Sequence, residues 1–152
     1  MARSKVHCAL AALTIVAATC SSKADNYSGG TIDIVVDETA SAVVMLYVSN
    51  QSFEDDEVGI EVTVDGTEII DRKFDVGDQH NWIPFRVRLS PGEHTLEAAS
   101  STGVTFQTQF EATDAAMRYA VLDYWYYPPD EYGSSTPRKF GFMIQDEPVA
   151  FD

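Results

Sequence analysis

Residues 58–76 read VGIEVTVDGTEIIDRKFDV and have the clearest local structure of the chain. Apolar and polar residues alternate through the first half, as they do in a strand that buries one face. The pair Asp65-Gly66 readily adopts the positive φ angles of a two-residue hairpin turn. The stretch therefore predicts a strand, a tight turn and a second strand that runs back from Glu68 to Val76.

The same two-residue period continues along most of the chain. Residues 83–89 and 104–110 alternate, and Pro84 within the first of them predicts an edge or bulged strand. No segment has the period of a helix. About nine strands are predicted, at 32–36, 42–49, 58–64, 68–76, 83–89, 95–98, 104–110, 118–127 and 139–145. Their regular spacing predicts an all-β protein, an antiparallel β-sandwich of seven to nine strands, with a small barrel as the alternative.

Residues 89–96, LSPGEHTL, resemble the strand–turn–strand segment of bacterial immunoglobulin-like and fibronectin-like surface domains. The resemblance implies an immunoglobulin-like sandwich over residues 31–152. That fold is used for adhesion, for spacing and for presenting ligands, and it does not by itself assign one function. His94, just after the Pro-Gly turn, is predicted to form structural hydrogen bonds at a corner of the sandwich.

Residues 1–19 are typical of an export signal. Arg3 and Lys5 precede an apolar run at residues 9–18, which is too short to span a bilayer. Residues 17–20, AATC, resemble the lipobox of bacterial lipoproteins, and this implies that Cys20 is diacylated and becomes the mature N-terminus. Cleavage after Ala24 is the alternative and would release a soluble protein. Residues 20–30, CSSKADNYSGG, have the composition of a flexible spacer.

The cysteine content supports lipidation. The chain has two cysteines, and Cys8 lies inside the predicted signal, so the processed protein has no internal disulfide. A lone thiol in an oxidising compartment tends to pair between molecules, so Cys20 is better explained as an acylation site. We therefore expect contact with the membrane through lipid on Cys20.

The chain is strongly acidic, with 24 acidic and 10 basic residues and a formal net charge of −14. Phosphate backbones and anionic headgroups repel such a surface, so nucleic acid is not an expected partner. A net charge of this size also keeps a protein dispersed, which predicts a monomer.

No motif of a known catalytic or metal site is present. The chain lacks a G-x-S-x-G elbow, a P-loop, an H-E-x-x-H pair and a C-x-x-C pair. His80 with Asp75 and Asp78 has the composition of a turn, and the acidic run at 53–57 lacks the spacing of a calcium loop. We predict a non-enzymatic protein with no cofactor and no metal.

The most unusual segment is residues 119–132, which read YAVLDYWYYPPDEY. Alternation places aromatic residues on both faces of one strand, so either both faces are covered or one of them binds a partner. In the first case residues 128–137 would fold over the outer face. In the second, the partner-binding residues are predicted to be Tyr124, Trp125, Tyr126, Tyr127 and Tyr132.

These observations together predict an exported, lipid-anchored and non-enzymatic protein of the cell envelope that binds or scaffolds a protein or carbohydrate partner. One alternative is a secreted carbohydrate-binding module that uses the aromatic strand. Another is an accessory domain or subunit of an envelope hydrolase.

Overall fold

The computed structural model describes residues 30–77 and 82–151. The described residues form nine strands: β1 (Ile32–Val35), β2 (Ala42–Asn50), β3 (Glu57–Val64), β4 (Thr67–Asp75), β5 (Ile83–Leu89), β6 (Gly92–Ser100), β7 (Thr105–Ala112), β8 (Arg118–Tyr127) and β9 (Thr136–Gln145). In this part of the chain we find no helix that could cross a membrane. The predicted signal, Cys20 and His80 lie outside the described residues.

The strands form two sheets. One sheet has the order β1-β5-β2-β8-β9 and the other the order β4-β3-β6-β7. Their apolar faces enclose one core, so the prediction of an all-β sandwich is confirmed. Val58, Ile60, Val62 and Val64 show how the alternation builds it, since all four are at most 1% exposed. Burying each such side chain stabilises the fold by about 1.5–3 kcal/mol.

The hairpin predicted from residues 58–76 is present. Asp65 has φ 51° and Gly66 has φ 75°, the positive angles that the turn requires. Strands β3 and β4 then pair from Val64 opposite Thr67 to Glu57 opposite Asp75, with one irregularity after Val62.

The prediction that every strand pair is antiparallel is wrong for two pairs. Strand β1 runs parallel to β5, and β2 runs parallel to β8. The partners in each pair are far apart in sequence and are joined through other strands. Alternation shows which side chains face the core, but it carries no information on strand direction, which depends on these long connections.

The prediction of an edge or bulged strand at Pro84 is wrong for the strand as a whole, because β5 lies between β1 and β2 and pairs with both without a bulge. The β1 ladder begins at Phe85, one residue after Pro84. At Pro84 itself the strand pairs only with β2, where Tyr47 is its partner. The missing N–H of proline is tolerated because the strand is locally an edge there.

His94 forms the structural corner contacts predicted for it. Its Nδ1 lies 2.6 Å from Asp65 Oδ2 and its Nε2 lies 2.8 Å from the carbonyl oxygen of Ser90. The imidazole thereby ties the β3–β4 turn to the end of β5.

Candidate functional site

The outer face of the five-stranded sheet carries an unusual group of polar and aromatic side chains around Asp123. We call this surface the Asp123 face. Six of its residues lie on β2, β8 and β9, namely Tyr47, Ser49, Asp123, Trp125, Tyr127 and Gly141. The other two, Trp82 and Phe151, lie in flanking segments. Strand alternation puts these β8 residues on the side away from the core.

Asp123 is partly buried and tightly held at one oxygen. Its Oδ1 accepts hydrogen bonds from Ser49 Oγ at 2.7 Å and from Trp82 Nε1 at 2.9 Å. Gln51 Nε2 in turn donates to Ser49 Oγ at 3.0 Å, which fixes the serine. Among the described residues, none donates a hydrogen bond to Oδ2 of Asp123. Ser49 and Trp82 therefore fix the position of the carboxyl group through Oδ1.

Burial raises the pKa of Asp123 above its ordinary value, and the hydrogen bonds from Ser49 and Trp82 oppose this effect only in part. A raised pKa means that the ionised carboxylate is less stable in the folded protein than in the unfolded chain. Carboxyl groups with shifted pKa values are concentrated at functional sites, where burial and neighbouring groups are arranged to shift them.

Aromatic side chains flank Asp123 on two sides. On one side, Trp82 stacks on Phe151 with ring centres 4.2 Å apart, and Phe151 meets Tyr47 edge-on at 5.0 Å. On the other, Trp125 contacts Tyr127 at 5.8 Å. The surface around the carboxyl group therefore offers aromatic rings together with a hydrogen-bond acceptor. This combination is typical of binding sites for small ligands.

The predicted partner-binding residues are divided between the two faces of β8. Tyr124 is 0% exposed on the core side: its ring packs against Phe140 and its hydroxyl donates to Asp55 Oδ2 at 2.8 Å. Tyr126 also faces the core, and the guanidinium of Arg138 lies 3.8 Å from its ring centre.

Trp125 and Tyr127 lie partly exposed on the outer face, and Tyr132 is 86% exposed in the loop after β8. A role for these three in binding stays a prediction. The sequence did not single out Asp123 or Trp82. In the sequence, Asp123 differs from its neighbours as a single carboxylate within the apolar and aromatic run of β8.

Two groups of side chains lie beside this face. Phe151, near the C-terminus, packs against Tyr47 and Trp82. Residues 127–130 and 134–136 line a groove of about 470 Å³ with Phe53 and Glu54, so Tyr127 of the Asp123 face is part of that groove. Cover of the outer face by residues 128–137 stays a prediction.

Two carboxylates of the acidic run at 53–57 form ion pairs with basic side chains of the protein. Arg138 donates from Nε and Nη2 to the two oxygens of Asp55, at 2.9 and 2.8 Å, and Lys73 pairs with Glu57. The Arg138 hydrogen bonds lower the pKa of Asp55, although burial opposes them. Within residues 30–77 and 82–151 no three metal-ligating side chains are grouped together.

We predict opposite effects for two neutralising substitutions. Because the pKa of Asp123 is raised, its stabilising contribution is present only below its unfolded pKa and is lost as the pH rises through the folded pKa. At neutral pH, the Asp123→Asn variant should therefore be as stable as the wild-type protein or about 1 kcal/mol more stable. The difference in stability between the two proteins should vanish near pH ~3.

The matched control is Asp55→Asn. The pKa of Asp55 is lowered, so its contribution is present at neutral pH and is lost as the pH falls through the folded value. This variant should lose about 2 kcal/mol at neutral pH, since Arg138 is left without its charge partner. Urea unfolding of both variants measures the effects. If Asp123→Asn lost as much stability as Asp55→Asn, the raised pKa of Asp123 would be contradicted.

A second pair of variants tests how β8 divides its aromatic residues. Tyr124→Ala empties a fully buried site and should cost roughly 3–5 kcal/mol of stability. Trp125→Ala removes a partly exposed ring and should cost about 1 kcal/mol. Thermal and urea unfolding measure both. Equal large losses would mean that the outer face of β8 is as tightly covered as the inner one.

Known proteins give no guide to this surface. Comparisons with protein-family models, with curated proteins and with solved structures find no match to this chain. The chemistry of the Asp123 face and the sequence are therefore the observations that bear on function.

Proposed function

We propose that this protein is an exported, lipid-anchored binding module of the cell envelope, without enzymatic activity of its own. The observation that carries the binding role is the carboxyl group of Asp123, which is held at Oδ1 and has Oδ2 free of hydrogen bonds from described residues. It lies among partly exposed aromatic rings on the outer face of the sheet. Rigid Trp and Tyr side chains provide much of the affinity in protein recognition.

The location and the anchor rest on the sequence. The basic start, the short apolar run and the isolated Cys20 support export followed by diacylation. Two acyl chains hold a protein firmly on a membrane, as a single chain does not. The spacer at 20–30 would then separate the sandwich from the bilayer and leave the Asp123 face accessible.

An immunoglobulin-like topology is part of this proposal. The antiparallel sheet β4-β3-β6-β7 packed against a second sheet supports it. The parallel pairing of β2 with β8 is a departure from the simple antiparallel pattern of such domains. The binding role does not depend on this point, because it rests on side chains of one sheet face.

The chain supplies its own control for the anchor, since Cys8 and Cys20 are its two cysteines. In a bacterial host given radiolabelled palmitate, the wild-type protein and Cys8→Ala should carry label and sediment with membranes. Cys20→Ala should lose the label and leave the membrane fraction. Mass spectrometry of the mature N-terminus completes the test. A soluble wild-type protein that begins at Asp25, unchanged by Cys20→Ala, would refute the anchor.

A further inference from the structure

The groove of about 470 Å³ beside the Asp123 face combines aromatic rings with carboxylates. Phe53 and Tyr127 supply the rings, whose centres lie 4.5 Å apart. Glu54 and Asp130 supply the carboxylates, and the rest of the lining consists of Pro128, Pro129, Ser134, Ser135 and Thr136. No basic side chain is among the described residues that line the groove. A cleft of this size can hold a ligand group, and its walls carry a net negative charge.

Hydrogen bonds hold both segments that line the groove. The backbone N–H of Phe53 donates to the carbonyl oxygen of Tyr126 at 3.0 Å, which holds the segment before β3 against β8. In the loop after β8, Asp130 Oδ1 accepts hydrogen bonds from the backbone N–H groups of Tyr132 and Ser134, at 2.9 and 2.8 Å. A site whose walls are positioned before binding loses less conformational entropy when a partner docks.

The protein already binds one guanidinium group with the same two kinds of side chain. The guanidinium group of Arg138 lies 3.8 Å from the ring centre of Tyr126 and donates two hydrogen bonds to the carboxylate of Asp55. Tyr127 and Glu54 are the neighbours of Tyr126 and Asp55 in the chain, and both line the groove. The groove therefore repeats the ring and the carboxylate of the Arg138 site, with no cation of its own among its described lining residues.

The side chains of the groove select a guanidinium group over other charged groups. A planar guanidinium group can stack on an aromatic ring and pair with a carboxylate at the same time, as Arg138 does. An ammonium group lacks the flat face that stacks on a ring. An anionic ligand would be repelled by Glu54 and Asp130, whereas the formal net charge of −14 attracts basic partners.

The exposure of these groups favours an arginine that belongs to a protein. An exposed ion pair and an exposed cation–π contact each contribute little affinity, so free arginine would be held only weakly. A peptide segment adds apolar contacts with Pro128 and Pro129, which line the same groove. A partner protein that presents an arginine side chain therefore fits the groove better than a small cation does.

We propose that this groove binds an arginine side chain of a protein partner, with the guanidinium group stacked on the rings of Phe53 and Tyr127 and paired with Glu54. This inference goes beyond the proposed function, because the contact it adds lies outside the carboxyl group of Asp123. It depends neither on that group nor on the lipid anchor. Arginine binding can therefore fail while the Cys20 experiment succeeds, and the reverse also holds.

The experiment uses the full mature protein, labelled with ¹⁵N and purified in a nonionic detergent. The capped peptide GSRGRSG is titrated to millimolar concentration, and so are the same peptide with lysine and the same peptide with citrulline in place of arginine. Citrulline has the shape of arginine without its charge. We expect the arginine peptide to shift the backbone amide resonances of Phe53 and Tyr127 in a saturable way. The lysine peptide should bind about threefold more weakly, and the citrulline peptide should cause no shift.

Substitutions at the groove provide the second arm. Glu54→Gln removes the charge of one wall, and Phe53→Ala removes a ring from a residue that is 61% exposed. Each should weaken binding of the arginine peptide by about threefold, as expected for exposed contacts, and both together should weaken it by about tenfold. Glu68→Gln is the matched control, because it removes the same charge from an exposed residue at the start of β4, in the other sheet.

The control should bind the arginine peptide as the wild type does. Equal binding of the lysine peptide would mean that the net charge of the protein attracts the peptides, and this would overturn the proposal. Equal shifts with the citrulline peptide, or no shift at the groove with the arginine peptide, would also overturn it. A loss in Glu68→Gln as large as that in Glu54→Gln would refute the groove as the site. An unchanged melting temperature shows that a loss is local, and if Phe53→Ala melts earlier, Glu54→Gln alone decides.

Discussion

Strand β8 must place every second side chain in the core, and the rest of the structure depends on this requirement. It puts Leu122 and Tyr124 inside and leaves Asp123 and Trp125 outside. A slip of one residue would bury the carboxyl group and expose the tyrosine, at a cost that no surface contact could offset. Pairing with β2 on one side and β9 on the other fixes this register. The position of the Asp123 face is therefore a consequence of the core.

The two partly buried aspartates of this region differ in what they contribute. Asp55 holds Arg138 and the hydroxyl of Tyr124, so its charge stabilises the loop before β3. Asp123 receives two neutral hydrogen bonds and has no cation paired with it among the described residues, so its charge opposes folding. A position at which a neutral residue would serve stability better is characteristic of sites retained for function. This contrast accompanies the geometry on which the proposed binding role rests, in which Ser49 and Trp82 hold Asp123 Oδ1 on the outer face of the five-stranded sheet.

Local features of the fold were predictable, and contacts between distant segments were not. The strand positions and the Asp65-Gly66 turn follow from alternation and turn chemistry, which act over a few residues. Alternation also separates Tyr124 from Trp125, but it does not say which face meets the second sheet. The hydrogen bond from Trp82 to Asp123 joins residues 41 positions apart, and the parallel pairing of β2 with β8 depends on long connections. Residues 119–132 stand out in the sequence by their aromatic content, whereas the burial of the carboxylate within them depends on contacts with Ser49 and Trp82 from distant parts of the chain.

The ionisation of Asp123 in the folded protein is the most direct test of this account. Its side-chain carboxyl carbon can be followed by NMR as the pH is varied, with the Asp123→Asn variant used to assign the resonance. We predict that the pKa of Asp123 lies clearly above the ordinary value of about 4. A pKa at or below that value would show that the carboxyl group is well solvated or balanced by a cation, and the argument for a ligand site at this position would fail.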